Sequence, residues 1–301
     1  MIGTFRTIAV GAAVSLAAAT QAQALNARTW ISGAGIDQTG CGPIANPCRT
    51  LQYAHDNTSA DGEIDVKDSA GYGAVSITKA ISIIADGPLG GVLAPPNGNG
   101  ITISVGASDL VILRGLTIEG GSAGQQGIEM SSAGILNVAR CSVQRFNLGI
   151  YVHPPCCSAP IDVTIQDTDV SYNSGTGIAI SGGAIAGQTT ILNSVVNHNG
   201  NYGIAAYAST TISNTHVSNN TNRGISTYFG TSVLDNVTSI GNGTGIFVNS
   251  GTFLLGRSTI VRNTKGIDLQ YAGTALSYKN NQISGNGTDI ANGTLQAAPL
   301  Q

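Results

Sequence analysis

The chain has 301 residues, of which 41 are glycine and only 10% are charged, whereas an ordinary soluble domain carries about 25% charged residues. The net charge of -3 supplies no basic field for nucleic acid, the 42% of hydrophobic residues argue against a disordered chain, and glycine without a three-residue period excludes collagen. Aromatic residues make up only 5%, so isoleucine, valine, leucine and alanine must form the core, and these side chains suit stacked strands.

The first 24 residues have the parts of a signal peptide. Arg6 is followed by an apolar stretch from Ile8 to Ala19 and by Ala22-Gln23-Ala24, a small-x-small sequence that predicts cleavage after Ala24. The apolar stretch of about 12 residues is too short for a membrane-spanning helix, which needs about 20. We therefore expect a secreted or periplasmic protein with no membrane span in the mature chain.

The five cysteines would meet an oxidising compartment after secretion. Cys41 and Cys48 flank a short loop rich in glycine and proline, so a disulfide between them is the preferred interpretation. Cys141, Cys156 and Cys157 leave two alternatives open, a bridge between the adjacent pair or a bridge from one of them to Cys141. Either alternative leaves one free thiol, and because no zinc-site spacing is present we expect no metal.

Residues 25–61 are predicted to form an N-terminal cap segment, and its Cys48–His55 stretch is the one predicted helix of the mature chain. The first strands are predicted at Glu63–Val66, Val75–Thr78 and Ile81–Ala85. A helix in this position covers the open edge of those strands, whose backbone groups would otherwise lack partners.

A repeat of about 21 residues organises the remainder, residues 62–301. A Gly-Ile pair opens each repeat, and the second residue after the isoleucine is usually apolar, which is the period of a strand. Two further apolar runs and an asparagine follow, so each repeat predicts three short strands separated by turns. The repeats begin at Gly100, Gly127, Gly149, Gly177, Gly203, Gly224, Gly245 and Gly266, with Asp289-Ile290 as a final variant.

One repeat cannot bury its own interior, so it becomes stable only when the next repeat stacks on it about 4.8 Å away. Stacking predicts an inward column of the isoleucines, each contributing about 1.5–3 kcal/mol, and turns in which glycine and asparagine adopt positive φ. It also predicts a structural column of hydrogen-bonded asparagine side chains. That column would consist of Asn147, Asn173, Asn199, Asn220, Asn242, Asn263 and Asn286.

These features carry a resemblance to a known family. The Trp30-Ile31-Ser32-Gly33 start, the Cys41 to Cys48 loop, the strand at Gly62–Val66 and the Gly-Ile repeats resemble secreted bacterial proteins of the pectin-lyase-like superfamily. The resemblance spans nearly the whole mature chain and implies an all-β fold, a right-handed parallel β-helix or solenoid of about 9–10 coils with a short N-terminal capping helix. It implies little about function, because the superfamily includes lyases, hydrolases, esterases, epimerases and adhesins.

In superfamily members that act on polysaccharide, the strand equivalent to Gly-Ile commonly lines the substrate cleft with its outward residues. The repeat predicts that Tyr207 lies directly under Tyr228, with Tyr202 and Arg223 beside them. Aromatic rings next to cations suit sugar faces and sugar carboxylates, although aromatic pairs also stabilise an ordinary exposed sheet. The candidate binding residues are Tyr202, Tyr207, Arg223, Tyr228, Lys265 and Asp268. Outward positions of earlier repeats include Glu129, Ser131, Tyr151, His153 and Ser181.

Catalytic signatures of the superfamily are mostly missing. Hydrolases of this fold need three clustered carboxylates and a Gly-His-Gly segment, whereas this face offers only Asp268 and the distant Glu129. Calcium-dependent lyases need clustered carboxylates, but Asp162, Asp167 and Asp169 are divided between strand and turn, where aspartate favours turn formation. No cofactor is therefore expected.

Three functions are compatible with these features. The favoured one is a secreted β-helix that binds polysaccharide or cell-envelope glycan on the outer face of the Gly-Ile strands without a catalytic cluster. The first alternative is a polysaccharide lyase or epimerase that uses tyrosine with Arg223 or His153. The second is an adhesin or interaction scaffold, because only Ala291–Gln301 follows the last repeat and the edge near Ile290 is open to self-association. Whether the chain is an enzyme stays open at this stage.

Overall fold

The computed structural model describes residues 25–155, 161–181 and 187–298. The predicted signal peptide and the pair Cys156 and Cys157 lie outside the described residues. The described chain contains one α-helix, α1 (Leu51–Asn57), and 30 β-strands. In chain order the strands are β1 (Asn26–Ile31), β2 (Thr58–Val66), β3 (Ala70–Gly71), β4 (Val75–Ile77), β5 (Ile81–Ile84), β6 (Gly90–Leu93), β7 (Ile101–Ile103), β8 (Leu110–Arg114), β9 (Leu116–Met130), β10 (Gly134–Ala139), β11 (Ser142–Val152), β12 (Ile161–Gln166), β13 (Asp169–Ser171), β14 (Ile178–Ile180), β15 (Gln188–Leu192), β16 (Val195–Asn197), β17 (Tyr202–Ala206), β18 (Thr210–Ser213), β19 (His216–Ser218), β20 (Arg223–Thr227), β21 (Thr231–Asp235), β22 (Thr238–Ile240), β23 (Thr244–Val248), β24 (Thr252–Gly256), β25 (Thr259–Val261), β26 (Lys265–Leu269), β27 (Thr274–Ser277), β28 (Gln282–Ser284), β29 (Thr288–Ala291) and β30 (Gln296–Ala297).

The strands stack in parallel into a solenoid of about ten coils, which confirms the predicted fold. One column is a 12-stranded sheet with the strand order β1, β2, β5, β8, β10, β12, β15, β18, β21, β24, β27 and β30. The Gly-Ile strands form a second column, in which β14, β17, β20, β23, β26 and β29 follow one another. The strands from β13 through β16, β19, β22 and β25 to β28 form the third.

The isoleucine of each Gly-Ile pair lies over the isoleucine of the preceding coil, as predicted. The in-register series is Ile101, Ile128, Ile150, Ile178, Ile204, Ile225, Ile246, Ile267 and Ile290. Every member from Ile101 to Ile267 is fully buried, whereas Ile290 in the last coil is half-buried. The column fills the interior of the solenoid, where each buried side chain contributes about 1.5–3 kcal/mol.

The asparagine column is a hydrogen-bonded ladder. Each Nδ2 donates to the Oδ1 of the next coil's asparagine at 2.9–3.1 Å. The ladder consists of Asn173, Asn199, Asn220, Asn242, Asn263 and Asn286. The prediction was wrong for Asn147, which is exposed, because Phe146 takes the ladder position and donates its backbone N–H to Asn173 Oδ1 at 3.0 Å. The structural role of the other members is confirmed.

Asparagine and glycine hold several of the positive-φ turns, as predicted, among them Asn193 (φ 47°), Asn214 (φ 49°) and Gly241 (φ 69°), although other residues such as Arg257 (φ 50°) hold some of them. The glycines of the Gly-Ile pairs are not among the positive-φ residues. The glycines are instead required by space, because a Cβ on Gly224 would lie 2.7 Å from the carbonyl oxygen of Gly245 and 2.8 Å from Asn242 Nδ2.

We expect Gly224→Ala to lower the free energy of unfolding by about 1–3 kcal/mol, the usual cost of overpacking a filled interior. Gly71→Ala is the matched control, since a Cβ there would have no atom within 4 Å. Guanidinium unfolding of both variants measures the difference in the free energy of unfolding. Equal stability of the two would contradict the steric requirement for glycine in the Gly-Ile pairs.

The N-terminal end of the solenoid is covered by the cap segment. The Cys41–Cys48 disulfide is confirmed, and its loop pairs with the outer edge of β1. The Trp30 N–H donates to Gly42 O at 2.7 Å, and the Trp30 carbonyl accepts from Cys48 N–H at 2.9 Å. Helix α1 begins later than predicted because Thr50 is its N-cap, with Oγ1 accepting from Tyr53 N–H at 3.2 Å.

The third described cysteine, Cys141, is buried and forms no disulfide within the described ranges. Burial raises the pKa of its thiol to about 11, so the thiol is protonated at neutral pH and unreactive. No helix of the described residues is long and apolar enough to span a membrane.

Candidate functional site

The outward residues of the Gly-Ile strands form three columns along the coil axis, and together we term them the Gly-Ile face. The middle column consists of Thr102, Glu129, Tyr151, Ala179, Ala205, Ser226, Phe247 and Asp268. The leading column, at the start of each strand, contains Tyr202, Arg223, Thr244 and Lys265. The trailing column, after each strand, contains Ser131, His153, Ser181, Tyr207, Tyr228, Asn249 and Gln270.

Four of the predicted binding residues meet in one cluster, which we term the Tyr–Arg cluster and which consists of Tyr202, Tyr207, Arg223 and Tyr228. The Tyr207 and Tyr228 rings stack with centroids 4.2 Å apart and planes 3° apart, as the repeat predicts. Arg223 Nη1 donates to Tyr228 Oη at 3.1 Å, and its guanidinium carbon lies 5.2 Å from the Tyr202 ring centroid. The same guanidinium lies 3.4 Å from the centroid of Phe247, so two aromatic rings and the Tyr228 hydroxyl surround it.

The cluster closes over small residues of the middle column. Ala205 and Ser226 are buried although they point outward, because tyrosine and arginine from the two flanking columns meet above them. Ser226 Oγ is buried without a hydrogen-bond partner in the described chain. The Arg223–Tyr228 hydrogen bond therefore bridges the leading and trailing columns across Ser226.

An open groove lies on the C-terminal side of this bridge. Its volume is about 510 Å³, and Arg223, Tyr228, Phe247, Asn249, Ser250 and Tyr271 line it. Tyr271 is 90% exposed and has a φ of 54°, so the turn after β26 holds an aromatic ring out into solvent. Phe247 is an outward residue of its Gly-Ile strand but was not among the predicted binding residues, and Ser250 and Tyr271 were missed because they belong to turns.

A match to a protein family accounts for most of this chain. Residues 64–211 and 157–297 match the family model described as "Right handed beta helix region". The chain belongs to this right-handed β-helix family. No curated protein matches the sequence significantly.

Two solved structures share the fold of this β-helix. Pectate lyase Pel9A has a TM-score of 0.54 at 14% identity, covering 91% of this chain and 80% of the lyase. The A-module of mannuronan C-5 epimerase AlgE4 from Azotobacter vinelandii has a TM-score of 0.52 at 12% identity, covering 79% of this chain and 91% of the module. Together with the family-model match they confirm the predicted right-handed parallel β-helix, and at such identities the two structures show the fold alone.

The protonation state of Tyr228 determines whether the Tyr–Arg cluster can act as a base. Burial raises the pKa of the Tyr228 phenol well above its usual range, and the neighbouring Tyr202 and Tyr207 raise it further, while the positive charge of Arg223 only partly offsets them. The phenol is therefore protonated at neutral pH. A protonated phenol donates or accepts hydrogen bonds, but it is a poor base for proton abstraction.

Lys265 and Asp268 pair with each other rather than joining the cluster. Lys265 Nζ lies 2.8 Å from Asp268 Oδ2, and Oδ1 accepts from Gln270 Nε2 at 2.9 Å and Asn292 Nδ2 at 2.6 Å. Burial works to raise the pKa of Asp268, but the hydrogen bonds from Lys265, Asn292 and Gln270 outweigh it and hold the pKa below its ordinary value. The charge of Lys265 is thus neutralised two coils beyond Arg223.

His153 is also separate from the Tyr–Arg cluster of the β-helix. Ser181 intervenes between His153 and Tyr207 in the trailing column, so the two lie two coils, about 10 Å, apart. His153 instead pairs with Glu129, with 2.9 Å between Nε2 and Oε1. In residues 25–155, 161–181 and 187–298, no group of three or more His, Cys, Asp or Glu side chains is placed to hold a metal ion.

Proposed function

We propose that this β-helix is a secreted protein that binds carboxylate-bearing polysaccharide or cell-envelope glycan on its Gly-Ile face. The observation that carries the proposal is that the guanidinium of Arg223 is held in place but not paired with a carboxylate in the described residues. Phe247 and Tyr228 orient this guanidinium at the margin of the groove. The other cation of the face, Lys265, is neutralised by Asp268.

The groove offers the two kinds of contact that an acidic sugar needs. Aromatic rings bind the apolar faces of sugars, and Tyr228, Phe247 and Tyr271 line the groove. A guanidinium binds a carboxylate through two parallel hydrogen bonds. The names of the two similar structures refer to pectate and mannuronan, which are carboxylate-bearing polysaccharides.

Binding without turnover at this cluster is favoured over elimination or epimerisation by tyrosine and arginine. Both reactions require a base that removes a proton next to the sugar carboxylate. The raised pKa of Tyr228 makes it unsuited to that role, and His153 lies two coils, about 10 Å, from Tyr207, the nearest trailing-column member of the cluster.

Affinity electrophoresis of the mature protein tests the proposal. We expect migration to be retarded in gels that contain pectate or mannuronan and unchanged in gels with a neutral polysaccharide. Incubation with the same polymers should leave ultraviolet absorbance flat, because no unsaturated product forms. Absence of retardation by every carboxylate-bearing polymer would overturn the proposal, and a rise in absorbance would replace it with a lyase.

Secretion is part of the same proposal and depends on the predicted signal peptide. The Cys41–Cys48 disulfide supports an oxidising compartment. Mass spectrometry of protein recovered from the culture medium or periplasm should find Leu25 at the N-terminus. An uncleaved chain in the cytoplasm would contradict it.

We also propose that the C-terminal edge joins two copies of the chain. Ile283 and Ile290 are only half-buried, whereas the isoleucines below them, Ile260 and Ile267, are fully buried. Because the Cys41 to Cys48 loop occupies the outer edge of β1, it blocks head-to-tail stacking and favours pairing of the open edge with its equivalent on a second copy. Light scattering should find a dimer that Ile290→Lys converts to a monomer, and a monomeric wild type would contradict this.

A further inference from the structure

A second polar cluster lies on the Gly-Ile face, nearer the N-terminus than the Tyr–Arg cluster. Glu129 Oε1 lies 2.9 Å from His153 Nε2, and Glu129 Oε2 accepts from Asn99 Nδ2 at 2.5 Å. The Tyr151 ring stacks on the imidazole with centroids 4.1 Å apart and planes 19° apart. The imidazole is therefore fixed in orientation by a carboxylate that is itself held by an amide.

Register explains why these residues meet. Thr102, Glu129 and Tyr151 are in-register neighbours in the middle column, and His153 follows Tyr151 on the same outer side of the chain. Glu129 thus reaches diagonally to the trailing column of the next coil. The side chains of Glu129 and His153 are 20% and 30% exposed, so a ligand on the face can reach the pair.

Ser181 completes the arrangement in the following coil. It succeeds His153 in the trailing column, because its backbone N–H donates to Val152 O at 2.8 Å. Nε2 of His153 is engaged by Glu129 of the preceding coil, so Nδ1 is the ring nitrogen left to act on Ser181, whose backbone lies one coil, about 4.8 Å, from that of His153. Ser181 Oγ donates to Val152 O at 3.4 Å. Because this hydrogen bond is long and therefore weak, breaking it to reorient the hydroxyl costs little free energy.

We propose that Ser181, His153 and Glu129 form an acyl-transfer site that hydrolyses O-acyl esters on a glycan. The reaction type follows from the residues present. The single carboxylate has both oxygens engaged, so the carboxylate pair of a glycoside hydrolase is missing. A hydroxyl, an imidazole and an orienting carboxylate are the groups that serve attack on a carbonyl carbon.

The step requires no cofactor. Ser181 Oγ attacks the ester carbonyl carbon while His153 takes its proton, and the tetrahedral intermediate expels the sugar oxygen, which receives that proton from His153. A water molecule then attacks the acyl-serine while His153 accepts its proton, and His153 returns that proton to Ser181 Oγ as the acyl–oxygen bond breaks, which releases the carboxylic acid and restores free Ser181. Glu129 is a positioning residue that stabilises the imidazolium formed in each half of the reaction.

The choice of a glycan ester rests on the proposed function. Ser181 lies one coil, about 4.8 Å, from Tyr207 in the trailing column. A polysaccharide bound along the face at the Tyr–Arg cluster would therefore present its substituents to Ser181. The acyl-transfer chemistry itself depends only on the three side chains.

A fluorophosphonate probe on the full mature protein tests the site independently of glycan binding. We expect the probe to phosphonylate Ser181, with fluoride as the leaving group, as located by peptide mass spectrometry. His153→Gln should slow labelling at least a hundredfold, the usual effect of losing a general base. Ser131→Ala is the matched control and should label at the wild-type rate.

Hydrolysis is measured as acetate released from an O-acetylated polysaccharide. Ser181→Ala should abolish release yet leave retardation by pectate or mannuronan unchanged, and Glu129→Gln should lower kcat at least tenfold with KM unchanged. Absence of both adduct and acetate release, or an adduct on Ser131 in place of Ser181, would overturn the inference. Labelling of Ser181 without glycan retardation would uphold the acyl-transfer site and refute the proposed binding function.

Discussion

Replacing Arg223 with alanine is expected to weaken binding of a carboxylate-bearing polysaccharide tenfold to a hundredfold. The substitution removes hydrogen bonds between a charged donor and a carboxylate, and each such bond contributes about 1.5–3 kcal/mol. It also removes the group that orients Tyr228 through Oη and packs on Phe247. Affinity electrophoresis over a range of pectate concentrations gives the change in dissociation constant.

Two variants make this result specific to the position of the cation. Arg223→Lys keeps the charge but loses the bidentate geometry and the flat contact with Phe247, so we expect intermediate affinity. Arg262→Asn removes one positive charge from a turn outside the Gly-Ile face, and asparagine tolerates the positive φ of that position. Equal losses in Arg223→Ala and Arg262→Asn would show that net charge alone governs binding and would contradict the proposed site.

The fold could be predicted from the sequence because stacking places identical positions over one another. The Gly-Ile repeat fixes which isoleucines point inward, and the structure buries every one of them from Ile101 to Ile267. The Tyr207–Tyr228 stack follows from the same rule, since both occupy one column in adjacent coils. Features that repeat with the coil are therefore accessible to sequence reasoning.

Contacts that depend on side-chain reach across columns were only partly predicted. The repeat places Arg223 beside the tyrosines but does not predict its hydrogen bond to Tyr228 of the trailing column. It also does not predict that Glu129 meets His153 of the next coil. The repeat gives the column of each residue, but it does not give the side-chain rotamer that lets the end of the side chain reach a neighbouring column. The displacement of Asn147 by Phe146 has a similar cause, because a shift of one residue at a turn changes which side chain enters the interior.

The asparagine ladder gives the largest expected effect on stability. Asn220 is buried, donates through Nδ2 to Asn242 Oδ1 at 3.0 Å and Val196 O at 3.2 Å, and accepts from Asn199 Nδ2 at 2.9 Å. Asn220→Ala leaves buried groups on both neighbouring coils without partners, each costing about 1–3 kcal/mol. We expect the free energy of unfolding to fall by about 3–5 kcal/mol, measured by guanidinium unfolding.

Asn222→Ala in the same coil is the control, because Asn222 is exposed and its one side-chain contact, to Asn201 Oδ1, spans 3.3 Å at the surface. A substitution of this kind changes stability by about 0.5 kcal/mol at most. If Asn220→Ala were as mild as Asn222→Ala, the ladder would be a by-product of stacking rather than a cause of it. A large difference instead means that each coil is held to the next by an interior asparagine hydrogen bond as well as by its isoleucine. This explains why each asparagine of the ladder packs against a glycine, where a Cβ would collide with its Nδ2.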